Sequence, residues 1–220
     1  LCTMLLGDLG ADVIKIEPPQ GDPARGYGPP FVAGESPYFL SVNRNKRSIV
    51  IDLKHPEGAR LARDLAARAD VLVTNFRPSA MHRLGLDEPT LRALNPRLIY
   101  CQVTGYGPRG PWADVPAFDQ VAQGMSGLMS VTGKPESGPV RVGIAIADIL
   151  AALFATYGVL AALYERERSG VGQRVDTSLL GAVIGVLTFQ AGRYLADGSE
   201  PGLEGNDHPV AAPYGTFRCA

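Results

Sequence analysis

Apolar residues come in two rhythms along this chain, short β-branched runs and longer stretches with helical spacing, and the two take turns. Residues 1–10 (LCTMLLGDLG) predict a short amphipathic helix closed by Gly10 in the left-handed position that glycine favours. Val13-Ile14-Lys15-Ile16-Glu17 follows as a strand by its β-branched content. Residues 48–53 predict a second strand and residues 57–68 a helix, with Pro56 in a first-turn position that tolerates proline. Ala69-Asp70 leads into the strand Val71-Leu72-Val73-Thr74, repeating the phrase that Ala11-Asp12 opens, and residues 91–104 (LRALNPRLIYCQVT) form a third helix-then-strand unit. Alternating helices and buried strands imply parallel pairing with right-handed crossovers. The expected fold is α/β: a Rossmann-like open, mainly parallel sheet flanked by helices.

The stretch 141–170 (RVGIAIADILAALFATYGVLAALYERERSG) organises the rest. Its apolar residues 142–146 read as a strand and residues 149–168 as a helix, with one acid, Asp148, between them. Free N–H groups and the dipole at a helix start favour a carboxylate, and strand ends in α/β proteins face the ligand crevice. Asp is also a good helix cap, contributing about 1 kcal/mol, so cap and catalyst fit these residues equally well. Residues 142–164 are also long enough to span a bilayer. A charge inside such a run costs roughly 2.5–3.5 kcal/mol, however, and the two halves differ in character, so a buried strand followed by a buried helix is the preferred reading.

A net charge of −1 gives no basic excess for holding nucleic acid. Cys2, Cys101 and Cys219 are scattered with no C-x-x-C spacing, which points away from a zinc site and toward a reducing, cytoplasmic compartment. No secretory leader pattern opens the sequence. His55, His82 and His208 have no ligand spacing, so no metal is expected. Gly105-Tyr106-Gly107-Pro108-Arg109-Gly110 spells G-x-G-x-x-G after a strand, but Pro108 and Pro111 leave no helix start to hold a pyrophosphate. The Gly/Pro-rich loop 18–36 is long enough to be functional or mobile. What remains is a set of lone acids, Asp148 and Asp119 foremost, and loop bases that include Lys54 and Arg83.

GDLGADVIKIE, YFLSVNRNKRSIVIDLK, ADVLVTNFRP, NPRLIYCQVTGYG and IADILAALFATYGVLAALYERERSGVGQRVD together resemble the family III CoA-transferases, the CaiB/BaiF group. The likeness runs collinearly over nearly all 220 residues, which correspond to the N-terminal half of a family member, without its first strand and second domain. Residues 1–195 would then be an incomplete large domain that binds CoA and carries the catalytic residue, and 196–220 a linker. The resemblance places the family's nucleophile on Asp148, tipping the balance to catalysis, and a second acid on Asp119 that positions groups or handles protons. It implies CoA contacts at Ile51, Asp52, Leu53, Lys54, Asn75, Phe76 and Arg83. It implies acyl-CoA and a small carboxylic acid as substrates, no tightly bound cofactor, and an interlocked homodimer for the full-length protein.

Two departures matter. Racemases of the family pair the aspartate with a histidine, and Phe118 stands in its place in Pro116-Ala117-Phe118-Asp119. A phenyl ring cannot take a proton, so CoA transfer is expected over racemisation, with a non-catalytic CoA-binding fragment as the remaining alternative. Pro18 stands where some members place an Arg that reaches CoA.

Overall fold

The computed structural model describes residues 1–219. The chain begins α1 (Cys2–Asp8), β1 (Val13–Glu17), α2 (Pro37–Asn43), β2 (Lys46–Val50), α3 (Pro56–Ala66) and β3 (Val71–Thr74). It continues α4 (Pro78–Arg83), α5 (Glu88–Leu94), β4 (Ile99–Thr104), α6 (Asp119–Met125) and a small antiparallel pair, β5 (Gly133–Lys134) and β6 (Gly138–Pro139). Then come α7 (Ile146–Ser169), β7 (Arg174–Ser178), α8 (Leu179–Val186) and α9 (Phe189–Asp197). The class is mixed α/β with parallel sheets flanked by helices. The strands form two parallel sheets, β1–β2 and β3–β4–β7, where the sequence pattern suggested one.

Strand β4 shows why the pattern was readable. Alternate residues of a strand face opposite sides. Ile99 and Cys101 join Cys2 and Leu6 of α1 and Ala155 and Val159 of α7 in one core. Leu98 and Tyr100 face the other way, onto Ala62 and Ala66 of α3, Met81 and Leu91. A parallel strand covered on both faces reads as a continuous apolar run, as LIYCQV does. Cys2 and Cys101, far apart in sequence, lie in the same core; the neighbouring Cys2 sulfur foremost, then burial, pushes the Cys101 thiol up.

The expected strand at 142–146 is not formed. Both neighbours of β4 are already supplied by β3 and β7, with Tyr100 opposite Arg174 and Thr104 opposite Ser178, so no edge is open beside it. Helix α7 begins instead at Ile146. The second strand starts and ends earlier than its apolar residues suggested, at Lys46–Val50, and residues 51–54 turn away into α3.

Helix α7 is long and apolar enough to cross a membrane by length and composition. Here its Ala147, Ala151, Ala155, Val159 and Ala162 are buried, a stripe of small residues that lets it lie close to β4 and β7. It ends at Gly170, whose φ of 74° is the left-handed conformation that only glycine adopts cheaply, with the Gly170 amide donating to Arg166 O at 2.8 Å.

The loop 18–36 is tied down by charge. Glu17, 2% exposed, accepts two hydrogen bonds from the Arg25 guanidinium, at 3.0 and 2.9 Å, and others from Ser48 Oγ and the Asp22 amide. Lys15 bonds Asp22 at 2.6 Å, and the Arg25 guanidinium lies 3.9 Å from the centre of the Phe39 ring.

Candidate active site

The direction of α7 decides where Asp148 lies. Near the helix's far end, Arg166 donates to Asp70 Oδ1 and to the carbonyls of Asp70 and Arg97, which precede β3 and β4. Near its beginning, Thr177, late in β7, donates its hydroxyl to Ala151 O at 3.1 Å. The start of α7 therefore sits at the carboxyl ends of the β3–β4–β7 strands, the edge where open α/β sheets hold ligands.

Asp148 is in the first turn of α7 but does not cap it. That work falls to Asp119, the first residue of α6, whose Oδ1 accepts from the Ala147 amide at 2.7 Å. Among the described residues Asp148 forms neither a hydrogen bond nor an ion pair, although it occupies a position where a carboxylate is favoured by the helix dipole. Partial loss of hydration, followed by repulsion from Asp119, pushes its carboxyl above the usual carboxylate range although the residue reaches solvent. A side chain that is accessible, unpaired and held beside a like charge is available for chemistry, whereas a capping Asp would have its oxygens engaged.

Two residues at this site were not singled out from the sequence. Gln123 is fully buried, donating from Nε2 to Asp119 Oδ2 at 2.7 Å and to Ile144 O at 3.3 Å, and accepting at Oε1 from the Val142 amide at 2.8 Å. Its signal was its place four residues after Asp119, on the same face of a helix. Tyr38, in α2, lies close enough to the acids that burial first, then Asp148, Tyr27 and Asp119, raise its phenol. Its helix was signalled by Ser36-Pro37: the serine caps it, accepting from the Tyr38 amide, and the proline fills the first position. Phe118 is 76% exposed just before α6.

The expected CoA-contacting residues lie after the carboxyl ends of β2 and β3, except Arg83, which closes α4. Leu53, Lys54 and Arg83 line a recess of about 480 Å³, joined by Arg63 and His82, which the sequence did not single out. Four bases and no acid line it, the composition that suits a phosphorylated ligand. Ile51 is buried, and Asp52 Oδ1 accepts from the Lys54 amide at 2.9 Å, so both shape the turn that presents Lys54. Gly58 makes that turn possible, since a Cβ there would lie 1.9 Å from Asp52 O. Asn75 and Phe76 are exposed beyond β3 and outside the recess lining; Gln102 holds the Phe76 carbonyl at 2.8 Å. After the G-x-G-x-x-G phrase no helix begins until Asp119. Among the described residues no group of three or more His, Cys, Asp or Glu could hold a metal ion.

With this geometry in hand, comparison with known proteins is specific. Succinate–glutarate CoA-transferase of Agrobacterium fabrum is 47% identical over 217 residues, covering 96% of this chain and 54% of that protein. Acetyl-CoA:oxalate CoA-transferase of Acetobacter aceti is 43% identical over 218 residues, covering 98% of this chain and 56% of that protein. The chain thus spans about half the length of the curated relatives it matches. A crystal structure of a CaiB/BaiF family protein from Brucella suis superposes with a TM-score of 0.93 at 45% identity, covering 99% of this chain and 58% of that one. The model for CoA-transferase family III matches residues 1–220, and the chain belongs to that family.

Proposed function

We propose that the full-length protein moves CoA from an acyl-CoA thioester to a free carboxylic acid, with Asp148 as the covalent nucleophile. The observation that carries this reading is that Asp119 caps α7 and leaves the Asp148 carboxylate unbonded at the strand ends. The names of the relatives, which act on succinate, glutarate and oxalate, support a short dicarboxylic acid as acceptor. The recess lined by Lys54, Arg63, His82 and Arg83 suits the phosphates of CoA.

In this mechanism the Asp148 carboxylate attacks the thioester carbonyl and expels CoA thiolate, leaving a mixed anhydride between donor acid and Asp148. The thiolate then attacks the aspartyl carbonyl, releasing the donor carboxylate and leaving an aspartyl-CoA thioester. The acceptor carboxylate attacks that carbonyl and again expels thiolate. Thiolate attack on the acceptor carbonyl of the new anhydride yields acceptor-CoA and restores Asp148. The two carboxylate attacks need an ionised nucleophile, the other two use the expelled thiolate, and all four need stabilisation of a tetrahedral oxyanion. No step moves a proton at the α-carbon, consistent with phenylalanine at position 118. The same reading includes an interlocked homodimer in the cytoplasm and no tightly bound cofactor, supported by the family resemblance and, for the compartment, by the scattered cysteines.

The test uses full-length protein with acyl-CoA donors and free acids, following CoA exchange by mass. Asp148→Asn should fold and bind CoA while transfer falls by orders of magnitude, each tenfold being roughly 1.4 kcal/mol of barrier. Hydroxylamine trapping during turnover should modify the peptide containing Asp148. Transfer at the parent rate by Asp148→Asn, or a label that maps to Asp119, rules this mechanism out.

A further inference from the structure

Residues 142–145 are themselves in neither helix nor strand, yet they deliver the first turn of α7 and so set where Asp148 points. Their backbone is held chiefly from outside, by one turn of α6. Gln123 binds the Val142 amide through Oε1 and the Ile144 carbonyl through Nε2. The same Nε2 donates to Asp119 Oδ2, and the other Asp119 oxygen holds the Ala147 amide. Two side chains four residues apart thus grip the chain at 142, 144 and 147, immediately before Asp148.

The side chain is fully buried, and its amide orientation follows from its partners, because the oxygen meets an N–H and the nitrogen meets a carboxylate and a carbonyl. A neutral amide suits this place. It bridges Asp119 to the backbone without adding a third acid beside a pair that already repel each other. A leucine of similar size would leave the Val142 amide and one Asp119 oxygen unpaired. A glutamate would keep the acceptor but turn a hydrogen bond to Asp119 into a repulsion.

We propose that Gln123 is a positioning residue of the transfer reaction, which through Asp119 and the backbone of Val142 and Ile144 holds the Asp148 carboxylate in its attacking geometry. This rests on the reading of Asp148 as nucleophile.

The experiment compares full-length parent, Asp148→Asn, Gln123→Leu and Gln123→Glu proteins by steady-state kinetics well below their melting temperatures, by thermal melting and by amide hydrogen exchange. Both Gln123 variants should lose kcat by about 10²-fold, the scale of a misplaced reacting group, with KM for the acyl-CoA nearly unchanged. The Val142 and Ala147 amides should exchange faster in Gln123→Leu. In Gln123→Glu the acidic limb of kcat should move to higher pH, an effect that loss of packing alone does not produce. Parent-like kcat in Gln123→Leu with a lowered melting temperature and an inactive Asp148→Asn overturns the Gln123 role alone. Parent-like transfer by Asp148→Asn overturns the nucleophile and the positioning role together.

Discussion

Arg166 and Asp70 are joined at 2.8 Å, and this pair, with the carbonyls of Asp70 and Arg97 that Arg166 also holds, ties the far end of α7 to the beginnings of β3 and β4. The anchor sits at the opposite end of α7 from Asp148, yet it fixes the helix's direction on the sheet. The two partners differ sharply, since the Arg166 side chain is 7% exposed and that of Asp70 is 77% exposed. Replacing Arg166 by Met removes the donor to the Arg97 carbonyl, while the Asp70 carbonyl keeps the Ile99 amide at 3.0 Å, and should cost about 1–3 kcal/mol. Asp70→Asn removes only an exposed charge and should cost less than about 1 kcal/mol. Urea melts should show lower midpoints with unchanged slopes. Equal losses in the two variants would contradict this account.

Asp148 should be a stability liability. Although its side chain reaches solvent, its folded-state carboxyl titrates above the unfolded value because partial loss of hydration and Asp119 disfavour the ion. Stability is therefore greatest below the unfolded carboxylate value and is lost as pH rises through the folded one. Asp148→Asn removes that cost, so its melting temperature should exceed the parent's at neutral pH and match it at about pH 3, below both values. A cap would give the reverse, a loss of about 1 kcal/mol at neutral pH. The acidic limb of kcat should likewise lie above the ordinary aspartate value of about 3.9.

Glu17 has the opposite sign. The Arg25 guanidinium foremost, with Ser48, the Asp22 amide and Lys15, holds its carboxyl far below the usual range. The stability it contributes is present above the unfolded carboxylate value and is lost only as pH falls through the depressed folded one. Arg25→Ala leaves the buried Glu17 carboxylate with Ser48, the Asp22 amide and Lys15 but without its guanidinium, and should cost about 1–3 kcal/mol. Glu35→Ala, at the exposed side of the same guanidinium, should cost less than about 1 kcal/mol. Denaturant melts at neutral pH check the ranking, and proteolysis should cut loop 18–36 faster in Arg25→Ala alone.

Gly58→Ala tests the recess proposed to hold CoA without touching a charge. The added methyl would overlap Asp52 O, so the turn carrying Lys54 must shift, at about 1–3 kcal/mol of stability. KM for acyl-CoA should rise with little change in kcat, as it should for Lys54→Ala and Arg83→Ala, since ligand held equally in ground and transition states affects KM alone. A fall in kcat at unchanged KM would move these residues out of the binding role.

Where local chemistry was decisive, the sequence sufficed. β1 and β3 fall where β-branched runs sit between Ala-Asp phrases and polar turns, and Gly170 ends α7 because left-handed backbone suits glycine. Asp148 was legible as a lone acid at a helix start. Whether it was cap or catalyst was not, because the competing cap, Asp119, lies 28 residues from the amide it serves and only packing of α6 on α7 brings it there. The strand expected at 142–146 failed for the same reason: its apolar residues permit a strand, but pairing partners are set by tertiary structure, and β3 and β7 take both sides of β4. Gln123 showed only its spacing from Asp119, and Arg63 and His82 carried no local signal, since a glutamine's distant partners and the convergence of bases on one recess exist only once distant segments meet.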